Sequence, residues 1–329
     1  MLMRKKEVII FGRRMRNTCC FLVFTLLLTA CSSLSLQPTD TPETTPSETP
    51  SLIPSVTSTA LVTPEPLLQY IDEILPGAAP QSFGEDFFSG SFHSAPVFSP
   101  DGNTVWWGGE YSSATIYTSQ FNSGAWSEPS IITFSDSIGS YRDPFISPDG
   151  SKFYFISTAA IPGTSSTGKE NLWMMEKQEN GWREPQPLPA SINALSLHWT
   201  VSVAENYDLY FSAREEENTD IYLSKFIAGE YTAPVRLDSP VNTEEIELTP
   251  NIAPDGSYLL FTRLTSTVDP PHLYISYAHG NGWSEPVRVI NVSYCISPIV
   301  TPDRLFVIYL SSPSSFGWRD TSFIEEQHP

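Results

Sequence analysis

The feature that most constrains this chain is a four-residue turn sequence that recurs along it. Ser99-Pro100-Asp101-Gly102 returns unchanged as Ser147-Pro148-Asp149-Gly150, and Ala253-Pro254-Asp255-Gly256 keeps its last three residues. Thr301-Pro302-Asp303-Arg304 keeps Pro-Asp, and Val203-Ala204-Glu205-Asn206 stands in the same frame within the longer gap before the third copy. Five copies at a period of roughly 50 residues match the length of a propeller blade.

The turn lies between two strand-like runs in each copy, which predicts a hairpin. Pro presets φ at the first central position, Asp suits the second, and Gly accepts the left-handed position behind them. In the first unit we predict strands over 94–98, 104–108, 114–120 and from Trp126 through Ile132. A second tag recurs in fixed phase on the fourth strand: Trp126-Ser127-Glu128-Pro129, Trp182-Arg183-Glu184-Pro185, Tyr231-Thr232-Ala233-Pro234 and Trp283-Ser284-Glu285-Pro286. Because proline inside a sheet is confined to its edge, this strand is predicted to be the outermost one.

The two tags together resemble the WD40-like β-propeller repeats of the TolB type, over about Gln81 to Glu326. The resemblance implies an all-β propeller domain, 81–329, of four-stranded blades. Five units use up this length, which favours five blades; the alternative of six would need a further unit that the two tags do not mark. The fifth unit has only three strands, so we expect residues near Phe83 to Phe88 to supply its outer strand and close the ring. In the family such repeats can precede a peptidase domain, and nothing resembling one follows here.

Residues 1–31 are predicted to be an export signal. Six basic residues precede an apolar run from Cys19 to Ala30, which is too short for a membrane-spanning helix. The run ends Leu28-Thr29-Ala30-Cys31, which resembles the lipobox of a bacterial lipoprotein and implies that Cys31 carries the lipid. The alternative is an ordinary secretory signal with an incidental cysteine. We therefore expect an exported protein of the cell envelope, anchored by lipid on the outer side of a bacterial membrane.

The segment after the signal has a different composition. Residues 32–66 are nearly all Ser, Thr, Pro and Glu, which predicts a disordered linker, and residues 67–80 form a lead-in to the propeller. With the signal removed and Cys31 acylated, Cys295 is the last cysteine, so no intramolecular disulfide is expected. The hydrophobic neighbours of Cys295 predict a buried, inert thiol.

The formal net charge is −19, and removal of the basic signal makes it more negative. Such a surface repels nucleic acid and anionic headgroups, so we expect no nucleic-acid partner and membrane contact through the lipid alone. No nucleophile elbow, His-Glu-x-x-His, Cys-x-x-Cys or phosphate-binding glycine loop is present. We expect no cofactor, no metal and a monomer.

The candidate site follows from aligning the units on their turns. Positions four to six before each turn lie where the inner strand begins, at one mouth of the channel, and polar groups and aromatic rings such as these suit a polar ligand. The residues selected there are His93, Tyr141, Arg142, Asp143, His198, Trp199 and Glu247. One interpretation is a binding or interaction module for a protein, peptide or glycan. The alternative is a glycan-active enzyme of the hydrolase or lyase kind, which requires two carboxylates at suitable separation, and Asp143 and Glu247 are the pair at equivalent depth.

Overall fold

The computed structural model describes a defined part of the chain: residues 70–71, 74–109, 115–134, 138–164, 168–215, 218–266 and 268–329, without the side chains of 197 and 198. The signal with Cys31, the linker, and residues 67–69 and 72–73 of the lead-in segment lie outside the described residues, so the predictions made for the signal and the linker stay predictions.

The described chain forms six antiparallel sheets, five of which follow one another in the sequence as the blades of a propeller, and the sixth is a two-stranded hairpin. The first two blades consist of β2 (Val97–Phe98), β3 (Thr104–Gly108), β4 (Ile116–Asn122), β5 (Ala125–Trp126) and β6 (Ser130–Ile131), then β7 (Arg142–Ile146), β8 (Lys152–Ser157), β9 (Asn171–Gln178), β10 (Gly181–Trp182) and β11 (Gln186–Pro187). The third consists of β12 (Ser196–Val203), β13 (Leu209–Glu215), β14 (Asn218–Ser224) and β17 (Val235–Arg236), with the separate hairpin β15 (Phe226–Ile227) and β16 (Glu230–Tyr231). The fourth consists of β18 (Ile246–Ile252), β19 (Tyr258–Leu264), β20 (His272–His279), β21 (Gly282–Trp283) and β22 (Val287–Arg288), and the fifth of β23 (Ile296–Val300), β24 (Phe306–Ser312) and β25 (Ser315–Asp320). The predicted all-β propeller of five blades is confirmed.

The ring is closed by an N-terminal strand, as predicted. The strand ends at Phe83 instead of continuing toward Phe88, because Gly84 (φ 62°) begins a turn in which the Phe87 amide donates to the Gly84 carbonyl. The strand β1 (Gln81–Phe83) pairs antiparallel with β25, and Gln81 lies opposite Trp318. Phe83 is buried with its ring centroid 4.9 Å from that of Trp318. Ahead of it, Tyr70 donates a 2.6 Å hydrogen bond to Asp303 and packs on Phe306. Residues from before the first blade thus complete the last blade, and its outer edge is paired.

All five predicted turns are present, and each places its last residue in the left-handed region. Gly102, Gly150 and Gly256 do so with φ of 71°, 70° and 75°. In the third blade the turn is Ala204-Glu205-Asn206-Tyr207, because the Tyr207 amide donates to the Ala204 carbonyl at 2.9 Å. The predicted frame beginning at Val203 was therefore one residue early. Tyr207 and, in the fifth blade, Arg304 occupy the glycine position at φ 64° and 63°.

The Trp-x-Glu-Pro tags lie on the outer edge, as proline requires. In the first blade the outer strand is broken into β5 and β6, and Pro129 falls between them. The inner strand is shorter than the predicted 94–98, since Pro96 has no amide to donate and the Ala95 amide donates to Ser297 of the fifth blade.

The core lies within and between the blades and is largely aromatic. Trp318, Tyr154, Phe153, Phe211 and Phe261 are among the largest fully buried side chains. Two short helices complete the described structure: α1 (Ala190–Asn193) and α2 (Ser322–Glu326). Within the described residues no helix is long and apolar enough to span a membrane.

Candidate functional site

The inner strands bulge at nearly the same level in four of the five blades. Their register with the second strand shifts there, and one residue at each bulge has a left-handed backbone. These residues are Asp143 (φ 49°), Trp199 (56°), Thr249 (48°) and Ser297 (55°). For a residue other than glycine, the left-handed conformation costs about 1–2 kcal/mol. Such strain persists only where surrounding contacts fix it, and it is concentrated at functional sites.

Contacts between neighbouring blades fix the bulges. The amide of Ser297 donates to the Thr249 hydroxyl at 3.1 Å, and the Ser297 hydroxyl accepts from the Ala95 amide at 3.1 Å. From the first blade, His93 then contacts Asp143 of the second. The bulged residues therefore join blades four, five, one and two through one layer of hydrogen bonds.

His93 and Asp143 form a buried pair across the first two blades. Nδ1 of His93 lies 2.8 Å and 2.9 Å from the two carboxylate oxygens of Asp143, and both side chains are almost inaccessible to solvent. Burial acts to lower the pKa of His93, but the charge and hydrogen bond of Asp143 outweigh it and raise that pKa above its usual value. The pair is therefore suited to hold a protonated imidazole near neutral pH.

Arg142 and Glu170 extend this pair toward solvent. Their charged atoms approach to 3.7 Å, and both side chains are partly exposed. Burial first, and the nearby Asp143 carboxylate second, raise the pKa of Glu170, while His93 and Arg142 act in the opposite direction. Alignment of the repeat units on their turns missed Glu170, because this residue lies in the loop between β8 and β9 rather than on an inner strand.

Trp199 approaches the same cluster from the third blade. Its ring centroid is 5.9 Å from that of His93, and the side chain is half-buried. The register of β12 against β13 shifts by two residues between His198 and Val201, where the other bulges shift by one. The extra residue sets this blade apart from its neighbours. The backbone of His198 pairs with Ser212, and its side chain lies outside the described part of the structure.

Two predicted residues lie apart from this cluster. The Tyr141 ring is buried against Phe134 and Phe155, with centroids 5.6 Å and 5.1 Å away. The Glu247 carboxylate is fully buried in the fourth blade, where it accepts bonds from Arg263 Nε at 2.8 Å and the Thr243 hydroxyl at 2.6 Å. Asp143 and Glu247 are thus engaged by different cations in different blades. The structure brings together His93, Arg142, Asp143 and Trp199, and it adds Glu170.

Two cavities lie at the opposite, turn-bearing side of the ring. One of about 220 Å³ occupies the channel and is lined by inner strands from all five blades. Its walls include Phe145, Ile252 and Ile299, and its rim carries Glu205 and Arg304, 3.3 Å apart. The other, about 400 Å³, lies between the first two blades. None of the predicted mouth residues lines either cavity. Among the described residues, no three His, Cys, Asp or Glu side chains are grouped to hold a metal ion.

Comparison with known proteins gives similarities at the level of fold. No family model matches the chain, and no curated protein matches it. Among solved structures, a TolB candidate from Agrobacterium tumefaciens is 17% identical with a TM-score of 0.46, over 67% of this chain and 69% of that one. TolB from Acinetobacter baumannii is 13% identical with a TM-score of 0.45, and the match covers 68% of this chain and 53% of that one. A gluconolactonase from Xanthomonas campestris is 8% identical with a TM-score of 0.45, over 74% and 96%. Similarity of this degree carries no statement about activity.

Proposed function

We propose that this protein is an exported, lipid-anchored binding module whose ligand docks at the channel mouth where the inner strands begin. One observation carries the proposal: Asp143 and Trp199, neither of them glycine, have left-handed backbones at neighbouring bulges and converge on His93. Backbone strain that places charged and aromatic side chains together is typical of a binding site.

The chemistry of the cluster favours a polar ligand. The partly exposed Arg142 supplies donors and Glu170 supplies acceptors, next to the buried His93–Asp143 pair. The half-buried Trp199 ring supplies a surface on which a flat or apolar group can pack. A protein segment, a peptide or a glycan has groups that match this set. The acidic chain as a whole disfavours nucleic acid.

The hydrolase alternative has less support. It required two carboxylates that act on one bond, yet Glu247 is fully buried and bound by Arg263 and Thr243, while Asp143 is bound by His93. The module is proposed to be held at the outer side of a bacterial membrane through Cys31, which the linker separates from the propeller. This part rests on the sequence Leu28-Thr29-Ala30-Cys31.

The test probes peptide and glycan arrays with the mature chain. The chain carries Cys31→Ser, which removes the proposed lipid attachment so that the protein can be used in solution. Trp199→Ala should abolish binding of the array hit while changing the melting temperature little. Trp283→Ala is the matched control, because Trp283 packs against Tyr210 with centroids 6.2 Å apart, and its loss should lower stability but leave binding intact. Unchanged binding by Trp199→Ala, or binding lost only in parallel with stability, would remove the site.

A further inference from the structure

A groove opens between the first and second blades, on the turn-bearing side and away from the proposed mouth. It encloses about 400 Å³, within the range of small-molecule sites. From the first blade Trp106, Thr118 and Gln120 line it, and from the second Lys177 and Trp182. Asp101 and Asp149, from the two turns, lie at its rim.

The floor of the groove is one face of the first blade. Thr104 pairs with Gln120 and Trp106 with Thr118 across β3 and β4, so these four alternate side chains point to the same side. All four line the groove. The opening therefore belongs to the regular face of a blade, and the residue types on that face decide whether it is filled.

At the interface between the second and third blades, the side chains at the corresponding positions fill the space that is open in the groove. On the second blade the corresponding pairs are Lys152 with Glu176 and Tyr154 with Met174. Lys152 binds Glu176 at 2.8 Å, and the Tyr154 hydroxyl lies 2.7 Å from that of Tyr231 in the third blade.

The turn of the following blade adds a second difference. In the third blade Tyr207 donates to Asp149 of the second blade and packs under Lys152 Nζ, 5.3 Å from its ring centroid. At the groove the turn position equivalent to Tyr207 is Gly150, which has no side chain. Smaller residues at Thr104, Thr118 and Gly150 therefore leave open a space that is closed one blade further on.

The groove lining offers unused polar capacity beside two indoles. The capacity lies in exposed groups, because Thr118 Oγ1 is buried without a hydrogen-bond partner among the described residues and Thr118 contributes space rather than a polar contact. Gln120 and Lys177 are exposed, and Trp182 is half-buried. The hydrogen bond from Ser99 lowers the pKa of Asp101, and bonds from Ser147, Tyr207 and Ser151 outweigh burial to lower that of Asp149. Both carboxylates are charged at neutral pH and outnumber the single lysine, which disfavours an anionic ligand.

We propose that this groove binds a single pyranose ring of a neutral or amino sugar. The ring packs against the Trp106 and Trp182 side chains, and its hydroxyls bond to Gln120 and the rim carboxylates. Aromatic surface next to a few fixed polar groups is the combination that orients a polar ring with apolar faces. The groove and the channel mouth share no residue, so this proposal stands independently of the proposed function.

The experiment is saturation-transfer difference NMR on the mature chain with Cys31→Ser, with N-acetylglucosamine and glucose as probes and galacturonate as the anionic comparison. Signal is expected from at least one of the first two sugars and none from galacturonate. Thr118→Met, which copies Met174 from the next blade, should fill the groove and weaken binding at least about tenfold. Gln120→Ala, at an exposed position that does not endanger folding, should weaken the same binding.

Trp199→Ala is the control, since it alters the mouth and should leave the sugar signal unchanged. The proposal is overturned if neither N-acetylglucosamine nor glucose gives a signal, or if galacturonate also gives one. It is also overturned if both groove variants bind as the parent does, or if Trp199→Ala removes the signal.

Discussion

The buried pair of Glu247 and Arg263 allows a quantitative test of whether Glu247 has a structural role. Arg263 Nε donates to the carboxylate at 2.8 Å, and the same guanidinium donates to the Val241 carbonyl at 2.9 Å. Its Cζ also lies 4.8 Å from the centroid of Tyr274. Arg263→Met retains most of the apolar stem and removes the charge, so the Glu247 carboxylate keeps only its bonds from Thr243.

Breaking a buried ion pair by removing one partner costs about 3–5 kcal/mol, because the other charge stays buried without compensation. For a domain of this size about 2–4 °C of melting temperature corresponds to each kcal/mol. We therefore expect Arg263→Met to lower the melting temperature by about 6–20 °C at neutral pH. Arg304→Met is the control, because its bond to Glu205 lies between side chains that are 50% and 60% exposed. Exposed pairs contribute about 0–1 kcal/mol.

The direction in which the stability deficit of Arg263→Met changes with pH follows from the pKa of Glu247. Burial raises the pKa of Glu247 despite the bonds from Thr243 and Arg263, so the folded protein holds this proton more tightly than the unfolded chain. The stability contribution of Glu247 therefore falls as pH rises above the ordinary range of a glutamate. Without Arg263 the pKa rises further, and the deficit of the variant should shrink when the pH is lowered toward 5. Scanning calorimetry of parent, Arg263→Met and Arg304→Met at several pH values measures this. Equal effects of the two variants, or a deficit that does not change with pH, would refute the structural role.

Three further predictions concern the anchor, the closure and the mouth. In a bacterial host fed labelled fatty acid, the protein should take up label and Cys31→Ser should take up none; label in the variant would contradict the lipoprotein interpretation. Deleting residues 81–88 should lower the melting temperature far more than deleting residues 32–66, because Phe83 and Phe88 are buried and β1 covers the edge of β25; equal melting temperatures would contradict this. Because Asp143 outweighs burial and raises the pKa of His93, His93 contributes stability that is full below about 6.5, its ordinary value, and is lost as pH rises through the higher folded pKa. His93→Gln should remove that slope from melting curves between pH 6 and 8, and an unchanged slope would assign it to another group.

The architecture could be predicted from the repeats, because the strands of each propeller blade lie next to one another in the chain. Each Pro-Asp-Gly turn specifies a hairpin within a few residues, and each Trp-x-Glu-Pro tag specifies an outer strand, so five repeats predict five blades. The third blade has no Pro-Asp-Gly at its turn, yet the strands predicted on either side located that turn to within one residue. The pairing of β1 with β25 joins the two ends of the domain, and the missing outer strand of the last unit predicted it.

Which side chains meet across the blades could be seen only in the folded ring. Alignment on the turns placed Asp143 four and Glu247 six residues before their turns, at the start of the inner strands. In the ring Asp143 is bound by His93 of the preceding blade, whereas Glu247 is bound by Arg263 of its own second strand. Glu170 lies in a loop that the repeat does not specify, and it joins the cluster only because β8 and β9 direct that loop toward the mouth. Register within a blade follows from local pattern, whereas contacts between blades depend on side-chain size and on where each bulge falls. For that reason the open groove beside Gly150, and its closure one blade later by Tyr207, could be recognised only from the packed ring.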